Sequence, residues 1–267
     1  MGVYTMNDIK IIFFDIDGTL IDMKKKQISK KVLETLVKLK NNGIKICIAT
    51  GRSPMQVPHF PDVEFDAFLT YNGSYCFNKY QDIFSNPLKK EDVYIIINNA
   101  KEIGRPLSLA TKNRLAANGS DKDLDEYYGF SGNKVKVADD FDTVVNTEEI
   151  YQIMLGCYKN EYDLIMKDVK DVKDAKIAAW WDRAIDIIPL SGGKGVAINK
   201  ILDYYQLTKE EAMAFGDGNN DIEMLEAVGR GVAMKNASLE LKSIADDICD
   251  DVANDGIYSY CKAIGLI

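Results

Sequence analysis

The chain has 267 residues, of which 46% are apolar, 10% aromatic and 28% charged. This composition is typical of a folded globular protein, and it excludes disordered, collagen-like and disulfide-scaffold classes. The 41 acidic residues outnumber the 33 basic residues, giving a net charge of −8. Nucleic acid is therefore not expected as a partner, because its phosphate backbone would be repelled.

The cysteines and the first apolar run indicate where the protein acts. The five cysteines form no Cys-x-x-Cys pair, and their odd number does not suit a disulfide framework. We therefore expect a reducing, cytoplasmic location. The apolar run at residues 9–14 is too short for a signal peptide or a membrane span, so we expect no membrane association.

The first predicted elements form a strand–helix–strand unit. Residues 9–14 are almost wholly apolar and predict a strand that is buried on both faces. Ser29 can cap the helix that follows, and Gly43 marks the end of that helix. Residues 44–49 predict a second buried strand and residues 67–70 a third, so we expect parallel strands with right-handed crossovers.

The middle of the chain has a different pattern. Between residues 85 and 186, predicted helices at 93–103 and 160–169 alternate with predicted strands at 107–111, 151–155 and 176–181. This block is long enough to have its own core, and we expect it to be an inserted α/β domain.

The strand–helix pattern then returns. It predicts helices at 196–205 and 221–227 and strands at 212–215 and 231–234. We therefore expect residues 1–84 and 187–267 to form one discontinuous α/β domain, a Rossmann-like core with a parallel sheet.

Four polar clusters follow predicted strands or begin predicted helices. They are Asp15-x-Asp17-Gly18-Thr19, Thr50-Gly51-Arg52-Ser53, Ser191-Gly192-Gly193-Lys194-Gly195 and Gly216-Asp217-Gly218-Asn219-Asn220-Asp221. Open α/β sheets bind ligands at the carboxyl ends of their strands, so we expect the four clusters to meet there.

The residue types in these clusters suit phosphoryl transfer. Two neighbouring carboxylates such as Asp15 and Asp17 repel each other unless a cation intervenes, and Mg²⁺ prefers oxygen ligands of this kind. Lys194 is unfavourable at a helix N-terminus, and an anionic ligand would remove that conflict. Three of the clusters alone also have a structural explanation: the first as an Asp-Gly turn, the second as a capping loop, and the fourth as a turn with a helix cap at Asp221. Together they supply acids, a hydroxyl, an ammonium and oriented amides, which phosphoryl transfer uses.

Four ordered motifs resemble those of the haloacid dehalogenase (HAD) superfamily, and more narrowly its Cof-type phosphatases. They are FFDIDGTL (13–20), IATGR (48–52), GGKGVAI (192–198) and GDGNNDIEML (216–225). The resemblance implies a HAD-type parallel sheet core with an inserted α/β cap domain at residues 85–186, which closes over the site. It also implies an Mg²⁺-dependent phosphatase that hydrolyses small phosphorylated metabolites, such as sugar phosphates, through an aspartyl-phosphate intermediate.

The resemblance implies a role for each motif residue. Asp15 would be the nucleophile, and Asp17 would be the acid–base residue. The implied metal ligands are Asp15, Asp17, through its backbone carbonyl, and Asp217. The implied phosphoryl-binding residues are Thr50, Gly51, Lys194 and Asn220. Asp221 would orient Lys194 or a metal-bound water.

Two other functions share this set of residues. A phosphomutase uses the same acyl-phosphate step but returns the phosphoryl group to a sugar. A phospho-receiver switch also clusters Asp, Thr and Lys on a parallel sheet, although Asp17 is hard to explain there because a stored acyl phosphate needs no leaving-group acid. We expect a small phosphate ester as the substrate, and a monomer or a weak homo-oligomer.

Overall fold

The structure is a computed structural model that describes residues 9–167 and 172–267. Its strands and helices follow in chain order as β1 (Ile11–Phe14), α1 (Lys30–Asn41), β2 (Lys45–Ala49), β3 (Ala67–Thr70), β4 (Tyr75–Phe77), β5 (Asp82–Ser85), α2 (Lys90–Glu102), β6 (Leu107–Thr111), β7 (Leu115–Ala117), α3 (Lys122–Phe130), α4 (Phe141–Thr147), β8 (Ile150–Gly156), α5 (Tyr162–Met166), β9 (Ala175–Trp181), β10 (Ala184–Pro189), α6 (Lys194–Tyr205), β11 (Ala212–Gly216), α7 (Ile222–Glu226), β12 (Arg230–Met234), α8 (Leu239–Ile244), β13 (Asp247–Cys249) and α9 (Gly256–Ala263).

The chain divides into two compact units. The first comprises the described residues up to Thr50 together with Val57–Phe84 and Lys194–Ile267. The second comprises Gly51–Gln56 and the described part of Ser85–Gly193. The sequence placed the end of the inserted block at residue 186, which lies within β10.

The first unit is built on an eight-stranded sheet with the order β13-β12-β11-β1-β2-β3-β4-β5. The six strands from β13 to β3 run parallel, and β4 pairs antiparallel with β3. This is the parallel α/β core that the sequence predicts.

Helices cover both faces of this sheet, which explains why its neighbouring strands β1 and β11 are apolar throughout. On one face, Ile12 and Phe14 of β1 pack in a core that includes residues of α1 and α9. On the other face, Ile11 and Phe13 pack in a core that includes residues of α6, α7 and α8. Successive side chains of a strand point to opposite faces, so β1 contributes to both cores.

The second unit has its own five-stranded sheet with the order β7-β6-β8-β10-β9. All of its neighbouring strands pair antiparallel. A separate apolar core lies between this sheet and helices α2, α4 and α5. An inserted unit with its own core and mixed α/β structure agrees with the predicted fold class.

Most predicted elements are present with shifted ends. Ser29 caps α1, as predicted, since its hydroxyl accepts a hydrogen bond of 3.1 Å from the backbone N–H of Val32. The helix predicted at 160–169 is shorter, because α5 spans Tyr162–Met166, and positions 168–169 of that prediction lie outside the described residues. Among the residues that the structure describes, every helix is too short or too polar to cross a lipid bilayer.

Candidate active site

The ends of three neighbouring strands bring the polar clusters together. β11, β1 and β2 lie side by side and parallel, and each leads directly into one of the predicted clusters. Asp15 follows β1 and its backbone N–H still bonds to Phe215 O at 3.0 Å, while Thr50 follows β2 and Asp217 follows β11. The carboxyl edge of the sheet therefore holds one residue from each of three clusters, Asp15, Thr50 and Asp217.

Lys194 brings in the fourth cluster. This residue begins α6, and its side chain is fully buried. Its Nζ donates hydrogen bonds to Asp15 Oδ1 at 2.7 Å and to Asp221 Oδ1 at 2.6 Å. The conflict between a lysine and a helix N-terminus is thus offset by two carboxylates of the protein itself.

Asp221 is fixed on both sides of its carboxylate. While Oδ1 accepts from Lys194, Oδ2 accepts from the backbone N–H groups of Asp217 and Gly218 at 2.9 and 3.0 Å. Asp221 therefore holds Lys194 in place and shapes the loop that carries Asp217.

Asp217 is oriented by two neutral side chains. The Thr19 hydroxyl donates to Asp217 Oδ1 at 2.9 Å, and Asn236 Nδ2 lies 3.4 Å from Oδ2. Asn236 also donates to the carbonyl oxygen of Gly18 at 2.9 Å, so it ties the loop after β1 to the loop after β11.

Gly18 allows these two loops to approach each other closely. Its φ is +89°, which favours glycine, and a Cβ at this position would lie 2.1 Å from Asp217 Oδ2. A larger residue here would push Asp217 away from Asp15.

Three carboxyl groups form a cluster that suits a divalent cation. One oxygen each of Asp15, Asp217 and Asp221 lies within 4.8 Å of the others. All three are oxygen ligands, and two of them, Asp15 and Asp221, pair with the ammonium of Lys194. The donor set and its excess negative charge fit a hard cation such as Mg²⁺.

Burial makes ionisation of the carboxyl groups in this cluster energetically unfavourable. Desolvation raises the pKa of Asp15 to about 7, and the carboxylates of Asp221 and Asp17 act in the same direction, against the opposing charge of Lys194. Desolvation also raises the pKa of Asp217 well above its usual range, helped by the neighbouring Asp15 and Asp221. For Lys194, burial alone would lower the pKa, but the two carboxylates outweigh it and the pKa is raised.

Thr50 and Asn220 are linked through a residue that the sequence interpretation did not single out. Asn72 follows β3, and its backbone N–H donates to the Thr50 carbonyl at 3.0 Å. Its side-chain oxygen accepts from Asn220 Nδ2 at 3.0 Å. The Asn72-Gly73 dipeptide is a turn signal in the sequence, and this signal could have identified it.

The two remaining predicted site residues lie in different surroundings. Asp17 is half-buried, and its backbone pairs with Ile21 in an isolated bridge. Gly51 is the first residue of the short Gly51–Gln56 segment that belongs to the second unit. Its carbonyl oxygen accepts a hydrogen bond of 3.2 Å from Gln152 Nε2 of β8 in the same unit.

The raised pKa of Asp15 predicts how the metal-free protein responds to pH. A carboxyl group whose pKa is higher in the folded than in the unfolded state stabilises the fold below the unfolded value, and this stabilisation is lost as pH rises through the folded value. The stability advantage of the wild type over Asp15→Asn should therefore decrease as pH rises from about 4, its unfolded value, through about 7.

This dependence can be measured by urea unfolding of both proteins in EDTA across that pH range. Groups distant from the site cancel in the difference between the two proteins, whereas Asp217, whose pKa Asp15 helps to raise, does not, so the difference reports the titration of the coupled carboxyl groups. A difference that does not change with pH would mean that Asp15 titrates as it does in the unfolded chain.

Comparison with known proteins identifies the family of this chain. Residues 12–260 match the family model described as haloacid dehalogenase-like hydrolase. The chain is 33% identical to the Bacillus subtilis (strain 168) protein named "Putative phosphatase YkrA", over 97% of this chain and 99% of that protein. It is 28% identical to 5-amino-6-(5-phospho-D-ribitylamino)uracil phosphatase YitU of the same organism, over 94% of this chain and 96% of that protein.

A solved structure shows the same fold over its whole length. The HAD subclass IIB sugar phosphatase BT4131 matches with a TM-score of 0.87 and 28% sequence identity, covering 97% of this chain and 100% of that one. The family match and the similarity to named phosphatases agree with the cluster at the sheet edge. This chain therefore belongs to the haloacid dehalogenase-like hydrolases of the Cof type and is a phosphatase that acts on phosphate esters.

Proposed function

We propose that this protein is an Mg²⁺-dependent phosphatase of small phosphorylated metabolites, including sugar phosphates, and that it works through an aspartyl-phosphate on Asp15. The observation that carries the proposal is the position of Lys194. Its ammonium lies 2.7 Å from Asp15 Oδ1, in a cluster where Asp217 and Asp221 each place an oxygen within 4.8 Å of Asp15. A carboxylate, an ammonium and a cation site side by side are the groups that phosphoryl transfer requires.

The metal ligands that we propose are the carboxylates of Asp15 and Asp217 and the backbone carbonyl of Asp17. Asp221 is fully buried, with one oxygen on Lys194 and the other on two backbone N–H groups, which supports an indirect role. A bound Mg²⁺ would supply positive charge beside the nucleophile and the phosphoryl oxygens.

In the first step, Asp15 attacks the phosphorus atom. A bond forms between its carboxylate oxygen and phosphorus while the bond from phosphorus to the ester oxygen breaks. Asp17 gives its proton to the departing oxygen, which leaves as an alcohol. Lys194 holds Asp15 Oδ1 and so fixes the rotation of the nucleophile before substrate binds.

In the second step, water attacks the aspartyl-phosphate. Asp17, now ionised, takes the proton of the attacking water while the bond between Asp15 and phosphorus breaks. Inorganic phosphate leaves and both acids return to their starting states. The phosphoryl oxygens are held throughout by the residues proposed for this role, which are Thr50, Gly51, Lys194 and Asn220.

The relatives and the inserted unit support the proposed substrate class. YitU is named for a phosphorylated ribitylamino-uracil and BT4131 is described as a sugar phosphatase, so related chains accept small phosphorylated metabolites. We propose that residues 85–186 form a cap domain that selects among such esters. We also propose a cytoplasmic location, and a monomer or a weak homo-oligomer as the assembly state.

A panel assay tests the proposal directly. The purified protein is incubated with phosphorylated metabolites and an aryl phosphate, with Mg²⁺ or with EDTA, and free phosphate is measured. We expect release only with Mg²⁺. Full activity in EDTA would contradict the proposed dependence on Mg²⁺. Formation of an isomeric ester in place of free phosphate would indicate a phosphomutase.

Replacing Asp17 by asparagine should slow hydrolysis by about 10²- to 10⁴-fold, which is the usual contribution of general acid–base catalysis. The loss should be larger for an alkyl phosphate than for a nitrophenyl phosphate, because a nitrophenolate leaves without a proton. The values of kcat/KM for the two esters measure this difference, because kcat/KM depends only on the steps up to departure of the leaving group and not on the later step in which Asp17 acts as the base. Equal losses on both esters would contradict the role of Asp17 as the acid.

A further inference from the structure

The segment after β3 has an unusual backbone. Tyr71, Asn72 and Gly73 are consecutive residues with φ values of +52°, +51° and +96°. Positive φ is unfavourable for residues with a Cβ, and for a bulky residue such as tyrosine it is a clear outlier. Strained backbone of this kind persists only where surrounding structure holds it, and it is concentrated at functional sites.

The surroundings of this turn are those of the candidate site. Tyr71 and Asn72 are buried, with 0% and 1% of their surface exposed. The turn packs against α6, the helix that begins with Lys194. The buried Asn72 bonds through its backbone to Thr50 and through its side chain to Asn220, at 3.0 Å in both cases.

The two residues that Asn72 contacts, Thr50 and Asn220, have the same proposed role. Thr50 follows β2 and Asn220 lies in the loop after β11, so they are far apart in the sequence. Both are proposed to bind the phosphoryl group, and Asn72 contacts each of them.

The contact with Asn220 decides which end of its amide faces an anion. An asparagine amide has an oxygen on one side and an NH₂ group with two donors on the other, and rotation by about 180° exchanges them. Asn72 Oδ1 accepts a hydrogen bond from one N–H of the Asn220 amide. This bond keeps the NH₂ group of Asn220, and not its oxygen, on the side of the amide that faces Asn72. The second N–H can then donate to a phosphoryl oxygen. Without this acceptor, the amide could present its oxygen, which repels an anion.

We propose that Asn72 is a positioning residue for phosphoryl binding, which fixes the amide of Asn220 in its donating orientation and holds the Thr50 carbonyl from the same turn. The inference rests on the proposed function, because it assigns Asn72 a task at the phosphoryl site. It adds a residue from outside the four motifs to that site. The left-handed turn is what places both groups of Asn72 on their partners.

The test is a double-mutant cycle on kcat/KM for an aryl phosphate and on the inhibition constant of inorganic phosphate with Mg²⁺. Asn72→Gly removes the side chain, and glycine adopts a φ of +51° readily, so the bond from the backbone to Thr50 is retained. We expect kcat/KM to fall and the inhibition constant to rise by about 10- to 100-fold, the range for misplaced binding groups. The melting temperature of each variant is measured in parallel.

The decisive comparison is with Asn220→Ala. If Asn72 acts through Asn220, the double variant should be no worse than Asn220→Ala alone, within about twofold. Losses that multiply would overturn the proposal, as would an Asn72→Gly variant that binds phosphate like the wild type. Asn72→Ser, whose side chain is too short to hold the amide, replaces the glycine variant if that one does not fold.

A matched control distinguishes the loss of the Asn72 side chain from the effect of placing a glycine at a position with positive φ. Gln206 also has a positive φ, of +56°, and it is exposed. Gln206→Gly should leave kcat/KM unchanged. The proposed function has its own readout, since a wild type that hydrolyses no ester, or an Asp15→Asn variant that remains active, would overturn that function and this inference with it. Asp15-dependent hydrolysis combined with an additive cycle would overturn this inference alone.

Discussion

Replacing Asp15 by asparagine should abolish hydrolysis of every phosphate ester while the protein remains folded. The amide has nearly the size of the carboxyl group, and its oxygen can still accept the hydrogen bond that Lys194 donates at 2.7 Å. An amide is a poor nucleophile, however, so no acyl phosphate forms. The buried carboxyl group already has its pKa raised to about 7, so a neutral replacement is compatible with the fold.

The measurement is phosphate release with Mg²⁺, together with the melting temperature. Acid treatment of the wild type during turnover should in addition trap a phosphorylated protein, which the variant should lack. Asp62→Asn is a matched control, because Asp62 is exposed and lies in a loop of the first unit. An active Asp15→Asn variant would refute the assignment of the nucleophile.

Replacing Lys194 by methionine should lower the stability of the protein as well as abolish its activity. The Lys194 side chain is 0% exposed and contacts two buried carboxylates, those of Asp15 and Asp221. Removing one partner from a buried ion pair leaves uncompensated charge, which costs about 3–5 kcal/mol. We therefore expect the free energy of unfolding to fall by about that amount, and hydrolysis to be lost because the phosphoryl group loses its ammonium partner.

The loss of stability in Lys194→Met should depend on pH. The charge of Lys194 lowers the pKa of Asp15, so its removal raises that pKa further. A group with a raised folded pKa stabilises the fold at low pH and loses this contribution as pH rises, so the variant should be destabilised more at pH 8 than at pH 5.

Urea unfolding of the variant and the wild type in EDTA at the two pH values measures this effect. Lys31→Met is the control, since the Lys31 side chain is 61% exposed and its partner Asp255 also keeps contact with solvent, at 20% exposure. Exposed pairs contribute about 0–1 kcal/mol. A Lys194 variant that behaves like the Lys31 variant would show that the buried cluster does not need its ammonium.

The parallel core could be predicted from the sequence because its pattern is local. The runs around β1 and β2 are apolar at successive positions, which is what burial on both faces of a sheet requires. The Ser29 cap follows from the residue alone, because a serine hydroxyl can accept the N–H of the first turn.

Other elements carry weaker signals. The predicted boundary between residues 186 and 187 lies inside β10 (Ala184–Pro189), which in the structure is an antiparallel strand of the inserted unit. Its apolar run is short and lies directly before the glycine-rich cluster, so a strand and a linker look alike there. Residues 184–189 form a strand because they pair with β8 and β9. A local sequence pattern does not reveal such pairing, because it depends on residues elsewhere in the chain.

The sequence by itself determined the residue types of the site, their order, and their places after strands, since these follow from composition and from the period of the apolar pattern. Only the tertiary structure decided which groups touch. The 2.7 Å contact between Lys194 and Asp15, the tie from Asn236 to the Gly18 carbonyl, and the bond between Asn72 and Asn220 join segments distant in the chain. Such contacts depend on strand order and on the close approach of two loops at Gly18. A local pattern can signal a turn, as Asn72-Gly73 does, but it does not say which distant residue the turn will contact.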